Sequence, residues 1–320
     1  MISEFEIINK YLKSLSKKNL GSLNLSDDIF YDNKKEIAIS LDTYVHGIHF
    51  YDSKKPEKFL KKILRASISD LYCKGIKPHS YFLSFSLNSS ICSHKWLKDI
   101  KKVLFDEQKR YNLTLAGGDT TFSSKFSVTI MVLGNTYRKP ILRSTANRGE
   151  DLYITGNIGD SFIGLNIIKK KLNFGKKNSF FKKVYYEPNI QKNIVPHLHK
   201  IASSSIDVSD GFIQDLGHLC KNSKCGAEVD LSLLPLSSYL KSLVKKNKIR
   251  LKESFSNGDD YQILFSSKVS KRSYIKNISK KLNVKITRVG FIKKEKNITI
   301  KNKSLKIKII KQKMGYTHCF

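Results

Sequence analysis

The segment Glu36-Ile-Ala-Ile-Ser-Leu-Asp42 alternates, with Ile37, Ile39 and Leu41 on one face. A period of two reads as a strand, here one that ends on an acid. Working outward, Phe59, Leu60, Ile63, Leu64 and Leu71 form an apolar stripe after Pro56. This spacing predicts a helix through Lys74 that Gly75 ends. Alternation returns at 80–87, where Tyr81, Leu83, Phe85 and Leu87 share a face. Trp96, Leu97, Ile100, Val103 and Leu104 mark a second helix, and 126–133 a further strand. The first half thus reads strand–helix–strand–helix–strand, a mixed α/β (α+β) pattern. Tyr137-Arg-Lys-Pro140 and the turn at Arg148-Gly149-Glu150-Asp151 place a boundary near 137–150, which gives expected domains of 1–140 and 141–320. Beyond it, a strand at 152–155 leads through Gly156 and Gly159 to a helix at 161–171. Another helix begins at Ser209-Asp210-Gly211, and strands follow at 226–231, 261–265 and 285–292. A lysine-rich hairpin occupies 297–310, while 172–190 and 241–253 read as flexible basic loops.

The chain has 320 residues, 59 Lys+Arg against 27 Asp+Glu, and a formal net charge of +32. Its length suggests two domains, and 40% hydrophobic residues supply a core, which excludes an intrinsically disordered chain. No apolar run approaches the ~20 residues that span a bilayer. The acidic, amphipathic start lacks the form of a signal peptide, so a cytoplasmic protein with no membrane partner is expected. The basic excess is lysine spread along the whole chain with little arginine. Nucleic-acid readers also use the planar arginine fork, so compositional drift in an A- and T-rich genome explains the charge better than a nucleic-acid surface. Five cysteines without paired spacing suggest reduced thiols. His197 and His199 have no acidic or cysteine partner close in sequence, so zinc is not expected.

The scarce acids are the informative residues. They sit in Ser26-Asp27-Asp28, Ser40-Leu41-Asp42-Thr43, Ser69-Asp70-Leu71, Gly117-Gly118-Asp119-Thr120-Thr121, Asp207-Val208-Ser209-Asp210-Gly211 and Asn257-Gly258-Asp259-Asp260-Tyr261. Singly, each reads as a turn or a helix cap. Together they suggest a convergent acidic site. Clustered carboxylates repel unless cations join them, and an oxygen-rich set suits Mg²⁺.

In this order the motifs resemble the thiamine-monophosphate kinase family, in the superfamily of aminoimidazole-ribonucleotide synthetase and selenide,water dikinase. The resemblance runs from about residue 26 to 320. It is sharpest at Asp42-Thr-Tyr-Val-His-Gly-Ile-His-Phe50, Ser69-Asp-Leu71, Leu115-Ala-Gly-Gly-Asp-Thr-Thr121, Arg143-Ser144, Asp207-Val-Ser-Asp-Gly211, Gly258-Asp-Asp-Tyr261 and Gly315-Tyr-Thr-His318. It implies ATP-dependent phosphorylation of thiamine monophosphate to thiamine diphosphate, with Mg²⁺. It also implies a two-domain fold like that of aminoimidazole-ribonucleotide synthetase, whose N-terminal domain pairs with a second copy in a barrel-like homodimer. The absence of a GxxxxGK[ST] loop and of protein-kinase motifs agrees.

Carried over by position, the resemblance makes Asp28, Ser40, Leu41 (through its carbonyl), Asp42, Asp70, Asp119, Asp207 and Asp210 the Mg²⁺ ligands. Asp42, Asp119 and Asp210 are the expected catalytic acids. Gly118, Asp119, Arg143 and Ser209 match nucleotide contacts, and His49, Asp259 and Tyr316 match substrate contacts. The chain departs from the family at Ser26, where glycine is usual, at Asp259, one methylene shorter than the usual Glu, and at His46. Competing readings are another ATP-dependent enzyme of the superfamily and a lysine-rich nucleic-acid-binding protein.

Overall fold

The computed structural model describes residues 2–302, 305–308, 315, 316 and 318. A short N-terminal helix, α1 (Glu4–Ile7), precedes a sheet built from β1 (Phe30–Asp32), β2 (Ile37–Val45), β3 (Pro78–Leu87), β4 (Thr114–Phe122) and β5 (Ser127–Asn135). Its order is β1-β2-β5-β3-β4. Two helices pack on one face: α2 (Pro56–Cys73) and α3 (His94–Tyr111). Pro56 starts α2, where no backbone donor is lost, and Gly75 follows its end at φ +79°. In α3 the Ser93 hydroxyl caps the first turn by accepting from the Trp96 N–H at 3.2 Å.

The second half contributes β6 (Asp151–Thr155), α4 (Asp160–Ile168), α5 (Asn178–Tyr186), α6 (Val195–Ile201), β7 (Ser204–Asp207) and α7 (Phe212–Asn222). It continues with β8 (Gly226–Asp230), α8 (Ser238–Lys245), α9 (Leu251–Phe255), β9 (Ile263–Ser267), α10 (Arg272–Leu282), β10 (Ile286–Lys293), β11 (Ile298–Asn302) and β12 (Leu305–Lys308). The seven strands run β12-β11-β8-β10-β6-β9-β7. Both faces of this sheet are buried, and alternate residues divide between two cores. Leu152, Ile154 and Leu264 pack with Ile163, Phe212 and Leu216, whereas Tyr153, Ile263 and Phe265 join the core that contains α2. The two sheets are therefore tied through α2, which brings its acids against β7.

The first sheet is asymmetric. Ala38, Ser40 and Tyr44 of β2 are buried against α2, while Leu41, on the other face, is 64% exposed. Every residue of β4 is exposed.

The structure corrects the sequence reading at several elements. Residues 172–190 hold α5, whose Phe181, Tyr185 and Tyr186 are buried. Residues 241–253 contain the end of α8 and most of α9. In both, the lysines mask a short apolar stripe. Three strands were not anticipated: β1, which is three residues long, β4 and β7. β4 contains two glycines and no clear alternation, and it is held by pairing with β3. β7 is four residues long and wholly buried. The expected hairpin is present as β11 and β12; residues 303, 304, 309 and 310, together with Thr317 and Cys319, lie outside the described residues.

Candidate active site

Three elements converge at one end of α2. Successive alternate residues of β2 place Ser40, Asp42 and Tyr44 toward the helix. Ser40 donates its hydroxyl hydrogen bond to Asp70 Oδ2. The Tyr44 hydroxyl lies 3.2 Å from Asp42 Oδ2 and 3.0 Å from Ser67 Oγ. Ser69 of α2 donates to Asp207 Oδ2 at the end of β7. Hydroxyls thus hold all three carboxylates, and none of the three forms an ion pair among the described residues. Burial pushes Asp42 up to about 6 and Asp207 up to about 7, and it raises Asp70 well above the usual carboxylate range. Repulsion from Asp42, Asp207 and Asp28 adds to the rise at Asp70. Such a set is short of positive charge.

Asp28 has the opposite balance. Burial opposes its charge, but Arg143 and Lys74 outweigh this and hold it below the usual range. Arg143 Nη1 is 2.8 Å from Asp28 Oδ1, and Lys74 Nζ is 2.8 Å from Asp27 Oδ1.

Across from β2, the loop before α7 meets two other segments. Asp215 Oδ2 accepts from the N–H groups of Asp210 (3.2 Å) and Gly211 (3.0 Å), closing the helix start. Asp210 is held by Gln214 Nε2 at 3.0 Å, and burial pushes it up to about 7. The Ser209 carbonyl accepts from the Asp259 N–H at 2.8 Å, an approach so close that a Cβ on Gly258 would stand 1.7 Å from that oxygen. The Tyr316 N–H reaches the Asp210 carbonyl at 3.2 Å.

Asp259 itself has a left-handed backbone (φ +69°) and accepts from Lys62 Nζ and the Tyr261 hydroxyl, each at 2.8 Å. Lys62 also donates to the His49 carbonyl at 2.7 Å. His49 Nδ1 accepts from the Val45 N–H at 3.0 Å, which leaves its proton on Nε2, 3.2 Å from His318 Nε2. Burial and the nearby cationic groups push His49 down to about 4, so it is neutral at pH 7. The Tyr316 ring meets His318 edge-on and is 48% exposed.

The expected residues Asp28, Asp42, Asp70, Arg143, Asp207 and Asp210 therefore lie in one electrostatically linked group, to which Ser40 is hydrogen-bonded, with His49, Asp259 and Tyr316 beside it; Ser209 adjoins Asp210 and meets Asp259 through its carbonyl. Gly118, Asp119 and Leu41 are not brought in with their side chains. The register Asp42–Ile130–Leu83–Gly118 puts three strand spacings between the motifs, about 14 Å. Asp119 pairs with Ser84 one residue along, so it lies on the open face of the sheet. It makes no side-chain hydrogen bond or ion pair among the described residues. Leu41 directs its side chain to the same open face. Sequence reasoning missed Lys62, Lys74, Tyr44 and Ser67. Lys74 beside Gly75 reads as an ordinary positive charge at a helix end, and nothing local marks Lys62 as buried.

The donors that lack cations are carboxylate and hydroxyl oxygens, the set that Mg²⁺ prefers. Among the described residues, no helix is long and apolar enough to cross a membrane.

Residues 25–136 match the family of AIR synthase related protein, N-terminal domain. Along 99% of its length the chain is 36% identical to the thiamine-monophosphate kinase of Buchnera aphidicola from Schizaphis graminum, covering 98% of that protein. It is 34% identical to the enzyme of that name from Escherichia coli, over 82% of each chain. Among solved structures, AaThiL complexed with AMPPCP and TMP superposes with a TM-score of 0.84 at 24% identity, over 99% of this chain and 97% of that one. The Escherichia coli hydrogenase maturation protein HypE superposes with a TM-score of 0.71 at 14% identity, over 88% and 86%, a likeness of fold.

Proposed function

The chain belongs to the thiamine-monophosphate kinase family, and from that membership we propose that it transfers the terminal phosphoryl group of ATP to thiamine monophosphate, forming thiamine diphosphate and ADP. The observation that carries the reading is the cation-poor group of Asp42, Asp70 and Asp207, drawn from both halves of the chain onto one end of α2.

The acceptor is a phosphate oxygen, already a nucleophile, so the protein's task is alignment and charge balance. Mg²⁺, bound by Asp42, Asp70 and Asp207 with Ser40 and Asp210 at the margin, would supply the positive charge that neutralises the transferring phosphoryl. Ser40, Ser69 and Tyr44 orient those carboxylates through hydrogen bonds. Arg143 presents a guanidinium at the edge of the group, where a nucleotide phosphate can share it. His49, Asp259 and Tyr316 form the wall for the second substrate. Tyr316 offers an exposed ring for stacking, and Asp259 is fixed by Lys62 and Tyr261.

The uncovered sheet face supports a homodimer, with residues 1–140 as the pairing unit and 141–320 closing the site. A second copy would cover Leu41 and the exposed edge strand β4 and deliver its own Asp119 to the acids of the first. Reduced thiols and ATP as co-substrate suit the cytoplasm.

Incubation of the purified protein with ATP, Mg²⁺ and thiamine monophosphate tests the reading. Stoichiometric thiamine diphosphate and ADP are expected; ATP consumption without thiamine diphosphate would transfer the protein to another acceptor of the superfamily.

A further inference from the structure

We propose that Lys74 is a built-in counter-ion that, together with Arg143, occupies the Asp27–Asp28 turn and confines divalent-cation binding to the Asp42, Asp70 and Asp207 side of the group. This deepens the magnesium reading above and rests on it.

The Lys74 side chain is fully buried, with Nζ 2.8 Å from Asp27 Oδ1, 3.4 Å from Asp28 Oδ2 and 3.0 Å from the Ser205 carbonyl. Its backbone is pinned on both sides. The Lys74 N–H donates to the Leu71 carbonyl, and the Lys74 carbonyl accepts from the Ile141 N–H, both at 3.1 Å. The ammonium is thus fixed at the junction of α2, β7 and the 137–150 connection.

Arg143 completes the arrangement. Its N–H donates to Asp27 Oδ2 at 3.0 Å, Nε to the Ser26 carbonyl at 2.6 Å, and Nη1 to Asp28 Oδ1 at 2.8 Å. Asp27 Oδ1 also accepts from the Asp28 N–H at 2.9 Å. Two carboxylates therefore face two cations, and only Asp28 Oδ2 is left without a hydrogen bond. The contrast with Asp42, Asp70 and Asp207 is one of direct contact: those three have hydroxyl partners and no ion pair among the described residues, and Lys74 acts on Asp207 only through its field. A divalent ion on Asp28 would sit beside a buried ammonium that cannot move away. Like-charge repulsion in a poorly solvated site opposes that arrangement. The same two cations also bind the Ser26 turn tightly, where the family's usual glycine is absent.

The test counts metal ions with Mn²⁺, by titration followed by electron paramagnetic resonance and by thermal melting with and without the ion. Wild type, Lys74→Met and the double variant Asp27→Asn/Lys74→Met are compared. Lys74→Met is expected to bind one more Mn²⁺ per chain than wild type, or to bind at least tenfold more tightly, and to show the larger Tm rise with Mn²⁺. The double variant, which loses Asp27's charge, is expected to return to the wild-type count. If Lys74→Met folds only when Mn²⁺ is present, the inference is supported. Equal counts and affinities in wild type and Lys74→Met overturn it, as does a Lys74→Met chain that Mn²⁺ cannot rescue while the double variant folds. A wild type that binds no Mn²⁺ overturns the magnesium reading itself, and the inference with it.

Discussion

The Tyr44 hydroxyl donates to Asp42 Oδ2 across 3.2 Å from the same face of the same strand, two residues on. It lies within 3.0 Å of Ser67 Oγ as well, so one buried phenol links β2 to α2 and sets the carboxylate's direction. Removing it with Tyr44→Phe leaves Asp42 in place but less oriented. A lost hydrogen bond to a charged group is worth about 1.5–3 kcal/mol. Initial rates over a Mg²⁺ series should show a higher Mg²⁺ requirement and a kcat reduced by about 10- to 100-fold, with unchanged KM for thiamine monophosphate.

Asp42→Asn, Asp70→Asn and Asp207→Asn should each lower kcat by about 10²–10³-fold or more, since each removes charge that the site uses. The same changes relieve repulsion among buried acids. Their Tm in EDTA is therefore expected to equal or exceed that of wild type. An inactive variant that is also strongly destabilised without metal would show that these acids serve the fold.

Stability should respond to pH and Mg²⁺ together. Asp42 and Asp207 have folded-state values pushed up to about 6 and about 7, above the ordinary carboxylate value. Between these limits the folded protein binds more protons than the unfolded one, so stability falls as pH rises from about 4 through 7. His49 and His218, pushed down to about 4, act in the opposite sense, but only up to their unfolded value near 6.5. Melting from pH 6.5 to 7.5 in EDTA should then show a declining Tm. Mg²⁺ should flatten the decline and release protons on binding at pH 6.5, measurable by calorimetry in buffers of different ionisation enthalpy.

If a second copy supplies Asp119, two inactive proteins should complement each other. Asp42→Asn and Asp119→Asn dimers mixed after dissociation would give mixed dimers with one intact site, and at equal amounts about a quarter of wild-type activity. No recovery after verified subunit exchange would place both acids in one chain's site.

Gly118→Ala should separate folding from chemistry at β4. A Cβ there would lie 1.8 Å from the Leu83 carbonyl oxygen, so the β3–β4 ladder must open. Loss of amide-exchange protection confined to β4, with α2 and β6 still protected, is the expected result.

Legibility followed the range of the forces involved. Strands β2, β3 and β5 and helix α3 were readable because one of their faces is buried and the other is not, which writes a period into the residues, whereas α2, buried nearly all round, was readable from its apolar residues after Pro56. β4 was unreadable because both of its faces are exposed in the single chain. α5 was hidden because lysines surround the few side chains that it buries.

The sequence by itself determined the mixed α/β class and the ordered acidic motifs, since periodicity and residue order are local. Which acids share a charge problem was decided only by the tertiary structure. It put Asp42, Asp70 and Asp207 together without ion-pair partners among the described residues, gave Asp28 to Arg143 and Lys74, and sent Asp119 to the open face of the sheet. Electrostatic balance depends on distances between segments far apart in the chain, and a linear order of residues carries no record of those distances.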